Sequence, residues 1–293
     1  MDLIQAMQAE YSRAKRLLYC WAFPLGLLVF VIAVVAAFPL PDWATNALAV
    51  AVMTIQVATF ALRHTAANHQ TKAEEIRRLA MLQDALGIPP SPLAVARLRA
   101  ITGQLINCEP GYLAPYYEST DPAGPKRLTD ITAECAFFTG ENARWLWNRL
   151  IFAAAAGLFT FILALILITL FSVSTTALQV AAKIVIASMA FCAAGDIATM
   201  AFQFKSLADA CDKIVADAEG ALLRPHALNA DSETQSALII FAEYNCAVVQ
   251  APPIPASVYR RRQRTLNDAW RSRHGTTTAA ATPSPQASPS AQE

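Results

Sequence analysis

The sequence predicts an all-α integral membrane protein, with four transmembrane helices in two hairpins and a helical cytosolic domain. Three observations carry that expectation. Hydrophobic residues make up 55% of the 293 and charged residues only 15%, against about a quarter charged in an ordinary soluble chain. The apolar residues gather into four runs long enough to cross a ~30 Å hydrocarbon core, which takes roughly 20 helical residues. The basic residues fall almost entirely on one side of those runs, as the positive-inside rule requires.

Taken in order, residues 1–20 read as an N-terminal cytosolic helix. The first apolar run is Trp21 to Phe38, with Pro24 near its start. The second is Ala44 to Leu62, softened by Thr45, Asn46, Thr54, Gln56 and Thr59, and "PLPDW" joins the two into a hairpin over 21–62. Leu150 to Phe171 and Leu178 to Gln203 form the second hairpin, 150–203, through "SVSTT". Arg13, Lys15 and Arg16 precede the first run, ten Lys or Arg lie between Arg63 and Arg149, and nine follow from Lys205. Neither hairpin loop holds one, so 22 of the 23 basic residues share a side and Lys183 is the exception. Both termini and the central segment are therefore expected in the cytoplasm. A secretory signal over residues 1–38 is the competing reading, with "RAKR" as its basic start, but the apolar run is long for one.

The central segment, 63–149, reads as helical. "KAEEIRRLAMLQDALG" prolongs the second run as an amphipathic helix that Gly87 and "IPPSP" stop. Residues 93–106 suggest a short helix, then comes a Pro, Gly and Tyr-rich loop. Thr129 to Trp147 forms a helix running into the third span, with Trp145 and Trp147 at the interface that indoles favour. The C-terminal segment, 204–274, reads as two amphipathic helices, an extended "APPIPASVY" and a basic helix over "RRRQRTLNDAW". Residues 275–293, rich in Thr, Ala, Pro and Ser, are expected to be disordered.

Two patterns are excluded. The six cysteines are scattered with no CxxC pair, so neither a disulfide framework nor a zinc site is indicated, and no metal or other cofactor is expected. GxxxxGK[ST], HExxH and GxSxG are all missing, so no catalytic residue is assigned and the chain is not read as an enzyme.

The polar residues inside the apolar runs are the site candidates. Residues 184–195, between Lys183 and Asp196, span only about 18 Å of a ~30 Å core. One or both charges must enter the hydrocarbon. Asp196, Thr199 and Gln203 share one face of the helix, and Lys183 with Ala187, Ala190 and Ala194 another. Gln56, Thr59 and Arg63 form a polar stripe on the second span. Such groups serve either as interhelical and snorkelling contacts or as the lining of a watery path. Arg260, Arg261, Arg262 and Arg264 are the densest basic cluster. They suit anionic lipid headgroups or another anion gripped bidentately; no DNA-binding motif accompanies them.

Two cytosolic stretches carry a family likeness: "YYESTDPAGPKRLTDITAECAFFTGENARWL" (116–146) and "YNCAVVQAPPIPASVYRRRQRTLNDAW" (244–270). With two hairpins around a central segment, the chain resembles the SMODS-associating four-transmembrane effector family over about residues 5–272. The resemblance rests on Gly124-Pro125, Arg127-Leu128, Pro253 to Pro255, Tyr259, Leu266-Asn267 and Trp270. It implies a multi-pass protein of the bacterial inner membrane, a pore-forming effector of anti-phage defence that permeabilises the membrane. It also implies a cyclic oligonucleotide signal made by a partner nucleotidyltransferase. Conduction would need a homo-oligomer, since four helices leave little room for a channel. A non-conducting membrane-anchored signalling scaffold and a small transporter are the rival readings.

Overall fold

In the computed structural model, the described residues are 3–18, 20, 41–103, 117–171, 177–223 and 230–273. Among them all regular structure is helical, in seven helices, with no strand. These are α1 (residues 3–18), α2 (Asp42–Leu86), α3 (Pro92–Thr102), α4 (Pro125–Phe171), α5 (Ala177–Leu222), α6 (Ala230–Val249) and α7 (Ala256–Arg273).

Local chemistry sets the helix ends. α2 stops at Gly87, whose φ of 66° is the left-handed cap that glycine adopts freely, and its N–H closes on the Gln83 carbonyl. α3 opens on Ser91, whose Oγ accepts the Ala94 N–H, with Pro92 in the first turn. α4 opens on Pro125, and the preceding Gly124 N–H donates to the Ala85 carbonyl at 2.8 Å. That bond, with Arg127 held by Asp84 at 3.0 Å, ties the start of α4 to the end of α2.

α2, α4 and α5 are 45, 47 and 46 residues long, each about 70 Å. The main core lies where the later part of α5 packs on the early part of α4, around Phe204, Leu207, Cys211, Ile214 and Ala136. The two helices come close at Gly140, where a Cβ would stand 2.8 Å from the Cys211 Cβ. A second cluster seats Leu3, Ala6 and Met7 of α1 against Ile76 and Ala80 of α2. A third joins Met81 and Ala85 of α2 to Leu128 and Ile131 of α4 and to Ala237 and Phe241 of α6.

The other halves of the long helices behave differently. Asn46–Leu86 is long and apolar enough to cross a membrane, with mean hydropathy 1.4 over its most apolar stretch and only 17% of that stretch buried. The low burial distinguishes it from the core helix of a soluble bundle. Trp43, Val50, Met53, Val57 and Phe60 stand exposed on α2, and on α4 so do Phe152, Phe159 and Ile166. The expected first span, Trp21 to Phe38, the "SVSTT" loop and the tail 275–293 lie outside the described residues. The expected helix over 93–106 is observed as Pro92–Thr102, and residues 104–106 are likewise outside. The basic terminal helix begins earlier than its arginines suggest, at Ala256, because Pro255 offers its carbonyl to the Val258 and Tyr259 N–H groups.

Candidate functional site

The two polar stripes meet. α2 and α5 pack side by side, and Arg63 Nη1 reaches Asp196 Oδ2 at 2.8 Å. Both side chains are partly open, 34% and 44% exposed, at the level where the apolar halves give way to the buried bundle. Asp196 is thus paired across helices rather than along its own. Lys183 lies about 20 Å further along α5; it is helical, and the surroundings of its side chain lie outside the described residues.

Other members of the stripes are satisfied locally. Thr59 is buried and donates to the Ile55 carbonyl at 2.7 Å, and Thr199 donates to Gly195 at 2.9 Å. These are bonds within one helix, which lower the cost of a hydroxyl in apolar surroundings. Gln56 is half-buried and Gln203 is exposed. In the Gln56, Thr59 and Arg63 stripe, the interhelical link is made by Arg63. Aromatic groups flank this level: the Trp147 and Phe202 rings sit 5.3 Å apart, and the Arg149 guanidinium lies 4.5 Å from the Trp145 centroid.

Below it lies a buried polar cluster that the sequence did not reveal. Arg77 Nε donates to Glu74 Oε2 at 2.7 Å, its Nη2 donates to Asn245 Oδ1 at 2.8 Å, and its guanidinium stands 4.7 Å from the Tyr244 ring. Tyr11 donates its hydroxyl to Glu74. One turn and a half nearer the apolar half, His69 Nδ1 meets Glu10 Oε2 at 2.6 Å, and Gln70 Nε2 donates to the Ala251 carbonyl at 2.7 Å. Glu10, Gln70, Glu74, Arg77 and Asn245 are all buried. The cluster joins α1, α2 and α6 through charged groups that need each other, since an unpaired charge there is costly. The signal available in the sequence was the i, i+3 pair Glu74 and Arg77 in line with Gln70.

The α7 arginines divide into two sets. Arg262 turns inward and donates to the Glu141 carbonyl and carboxylate, while Glu141 also holds Arg144, which reaches Asp212. Val258, Leu266 and Trp270 continue that inner stripe, and Trp270 meets the Phe137 ring at 5.3 Å. Arg260, Arg261 and Arg264 face outward and, among the described residues, hold no ion-pair partner. An anion therefore finds three free guanidiniums on α7 rather than four.

The residues behind the family likeness have structural work. Gly124 and Arg127 dock α4 on α2, Leu128 is fully buried, and Ile254, Leu266 and Trp270 seat α7 on the bundle. Burial also pushes the Cys135 and Cys211 thiols up to about 12, which disfavours the reactive thiolate. No three His, Cys, Asp or Glu groups converge on a metal-sized site among the described residues. No family model, curated protein or solved structure matches the chain.

Proposed function

We propose that the chain is a membrane effector of the bacterial inner membrane, opened by a cytosolic signal. In this reading four helices cross the bilayer in two hairpins, and both termini and the helical bundle lie in the cytoplasm. Copies of the chain assemble into an ion pathway. The observation that supports it best is the Arg63–Asp196 pair. Two opposite charges at the inner edge of an apolar zone attract one another across α2 and α5, and parting the helices gives up that attraction. Water entering between the helices offsets that loss, so separation and hydration go together. The likeness to SMODS-associating four-transmembrane effectors points the same way, with a cyclic oligonucleotide as the signal and anti-phage membrane permeabilisation as the result. Such a signal opens the assembly only by binding the open form more tightly than the closed one.

The test is ion flux from liposomes holding the purified chain, with and without cyclic oligonucleotides. Arg63→Gln and Asp196→Asn should each raise the basal leak, and the exchanged pair Arg63→Asp with Asp196→Arg should bring it back down. Lys183→Ala should change conductance without lowering the amount of protein in the membrane. Absence of flux under every ligand would leave a non-conducting scaffold, and saturable solute uptake would make the chain a transporter.

A further inference from the structure

We infer that Arg260, Arg261 and Arg264, the outward arginines of α7, bind the phosphate headgroups of anionic lipids in the inner leaflet. The cytosolic bundle then rests on the membrane surface through the start of α7. The inference rests on the membrane reading above, which supplies that surface.

The charges of α7 are sorted along its length. Toward its end, Arg271 pairs with Glu118 at 2.8 Å and Arg273 pairs with Glu219. Nearer its start, Arg260, Arg261 and Arg264 are exposed and hold no ion-pair partner among the described residues. At 3.6 residues per turn the three share an arc of about 100°, on the side opposite Val258, Leu266 and Trp270. α7 has no acidic residue in its first turn, and its one acid, Asp268, comes after all three.

Two other helices that lead into apolar runs measure how far the start of α7 lies from hydrocarbon. The Lys15 ammonium of α1 sits 5.5 Å from the Tyr259 ring centroid. Lys15 precedes Trp21, where the first apolar run begins, by six residues, about 9 Å at helical rise. Arg262 meets Glu141 of α4, nine residues before Leu150 and the third run, about 14 Å. Tilt shortens both distances. A 30 Å core in a bilayer 40–45 Å thick leaves a headgroup layer of about 5–8 Å on each side. Arg260 and Arg261 are therefore only several Å short of the phosphates, within a Debye length of ~8 Å. Arg16, beside Lys15, is exposed, holds no ion pair among the described residues and adds positive charge at this depth. The other end of α7 is further off: Glu219, the partner of Arg273, lies sixteen residues beyond Gln203, about 24 Å. Free arginines thus stand at the end of α7 that faces the leaflet, and paired ones at the end that faces the cytosol.

Shape favours a lipid surface over a soluble phosphate. Small-molecule sites are concave, with polar groups converging on one ligand. These guanidiniums project from the convex side of a single helix and diverge, so each meets a different headgroup. A basic segment beside the membrane is drawn to anionic lipid in this way, and the attraction falls off within a Debye length.

The test uses the full chain in vesicles of equal parts phosphatidylglycerol and phosphatidylcholine. A bimane is attached through Gln263→Cys, an exposed position among the arginines, with Cys20, Cys108, Cys192 and Cys246 replaced by alanine. Two quencher lipids carry the same shallow nitroxide and differ only in headgroup. The phosphatidylglycerol quencher should be about three times as effective as the phosphatidylcholine one. Arg260→Gln, Arg261→Gln and Arg264→Gln together should bring that ratio to about 1, whereas Arg260→Lys, Arg261→Lys and Arg264→Lys together should keep at least half of the preference, because charge carries it. Bimane attached through Ser272→Cys, nine residues further along α7, should be quenched by neither lipid. A ratio near 1 in the native arginine background, a preference that the glutamine changes leave intact, or equal quenching at positions 263 and 272 would each overturn the inference. So would a cyclic dinucleotide that abolishes the preference, since the arginines would then hold a soluble phosphate first. Extraction with alkaline carbonate reads insertion separately. A chain that is extracted removes the membrane reading and this inference with it, and an inserted chain without the preference removes this inference alone.

Discussion

Arg77→Met offers the sharpest test of how the bundle is held. In the native chain the guanidinium serves Glu74 at 2.7 Å, Asn245 at 2.8 Å and the face of Tyr244. Glu74 is 3% exposed, so after the substitution its charge keeps only the Tyr11 hydroxyl. Breaking a buried pair on one side costs about 3–5 kcal/mol, because the survivor is left charged and dry. A chain of this size loses about 2–4 °C of Tm per kcal/mol, so thermal unfolding in detergent should show a fall of roughly 6–20 °C. Removing both partners, Arg77→Met with Glu74→Leu, replaces the pair by apolar groups. What remains is the loss of partners by Tyr11 and Asn245, about 1 kcal/mol each. The double variant should therefore be more stable than Arg77→Met alone, by about 1–3 kcal/mol. If Arg77→Met is no worse than Arg271→Gln, which alters an exposed pair with Glu118, or if the double variant is no better than the single one, the cluster does not hold the bundle in this way.

Other outcomes follow from single sites. Burial raises the Glu134 carboxyl from 4.5 to about 7. Between those values the folded chain keeps a proton that the unfolded chain has released, so stability falls as pH rises through the window and levels off above it. Glu134→Gln should flatten that slope and stabilise the chain above pH 7 by about 1–2 kcal/mol, after allowance for partial exposure; urea titrations across pH read it directly. Thiol labelling of the native chain, resolved by peptide, should modify Cys246 and spare Cys135 and Cys211, whose thiols burial holds near 12; comparable labelling of all three contradicts the packing. Gly220→Ala meets nothing within 4 Å and should stabilise α5 by up to about 1 kcal/mol. Gly140→Ala meets the Cys211 Cβ, and a cost of about 1–3 kcal/mol should cancel or exceed the same gain in thermal unfolding.

The helical character was legible because it rests on local patterns. The apolar runs and Gly87 after a periodic stretch each mark an element without reference to its neighbours, whereas α4 begins at Pro125, four residues before the Thr129 start expected from the sequence. The continuity of α2 and α4 from apolar to amphipathic halves was also readable, since no breaker interrupts either. What escaped was pairing between distant segments. Counting residues marked Lys183, Asp196 or both as entering the hydrocarbon, yet the Asp196 partner Arg63 lies 133 positions away and periodicity on one helix cannot name it. The same holds for Arg77 and Asn245, and for Arg262, which looks like its three neighbours in sequence and differs only because Glu141 stands on its side of α7. The sequence reading of that stretch rested on its apolar positions, and the burial of Glu74 and Arg77 as a pair depends on tertiary packing.

Gly140 divides α4 unequally. Fifteen residue steps separate it from Pro125 and thirty-one from Phe171, about 22 Å and 46 Å of unbroken helix. Where α4 presses on Cys211 the two helices have no side chain of α4 between them, so that spot is the natural fulcrum for any tilt of one against the other. A rod pivoting there has arms in a ratio of about one to two. Sideways movement of 1 Å at the Arg127 and Asp84 end becomes about 2 Å at the opposite tip, with its direction reversed. A small push in the bundle is in this way enlarged at the far end of the helix, with no moving hinge.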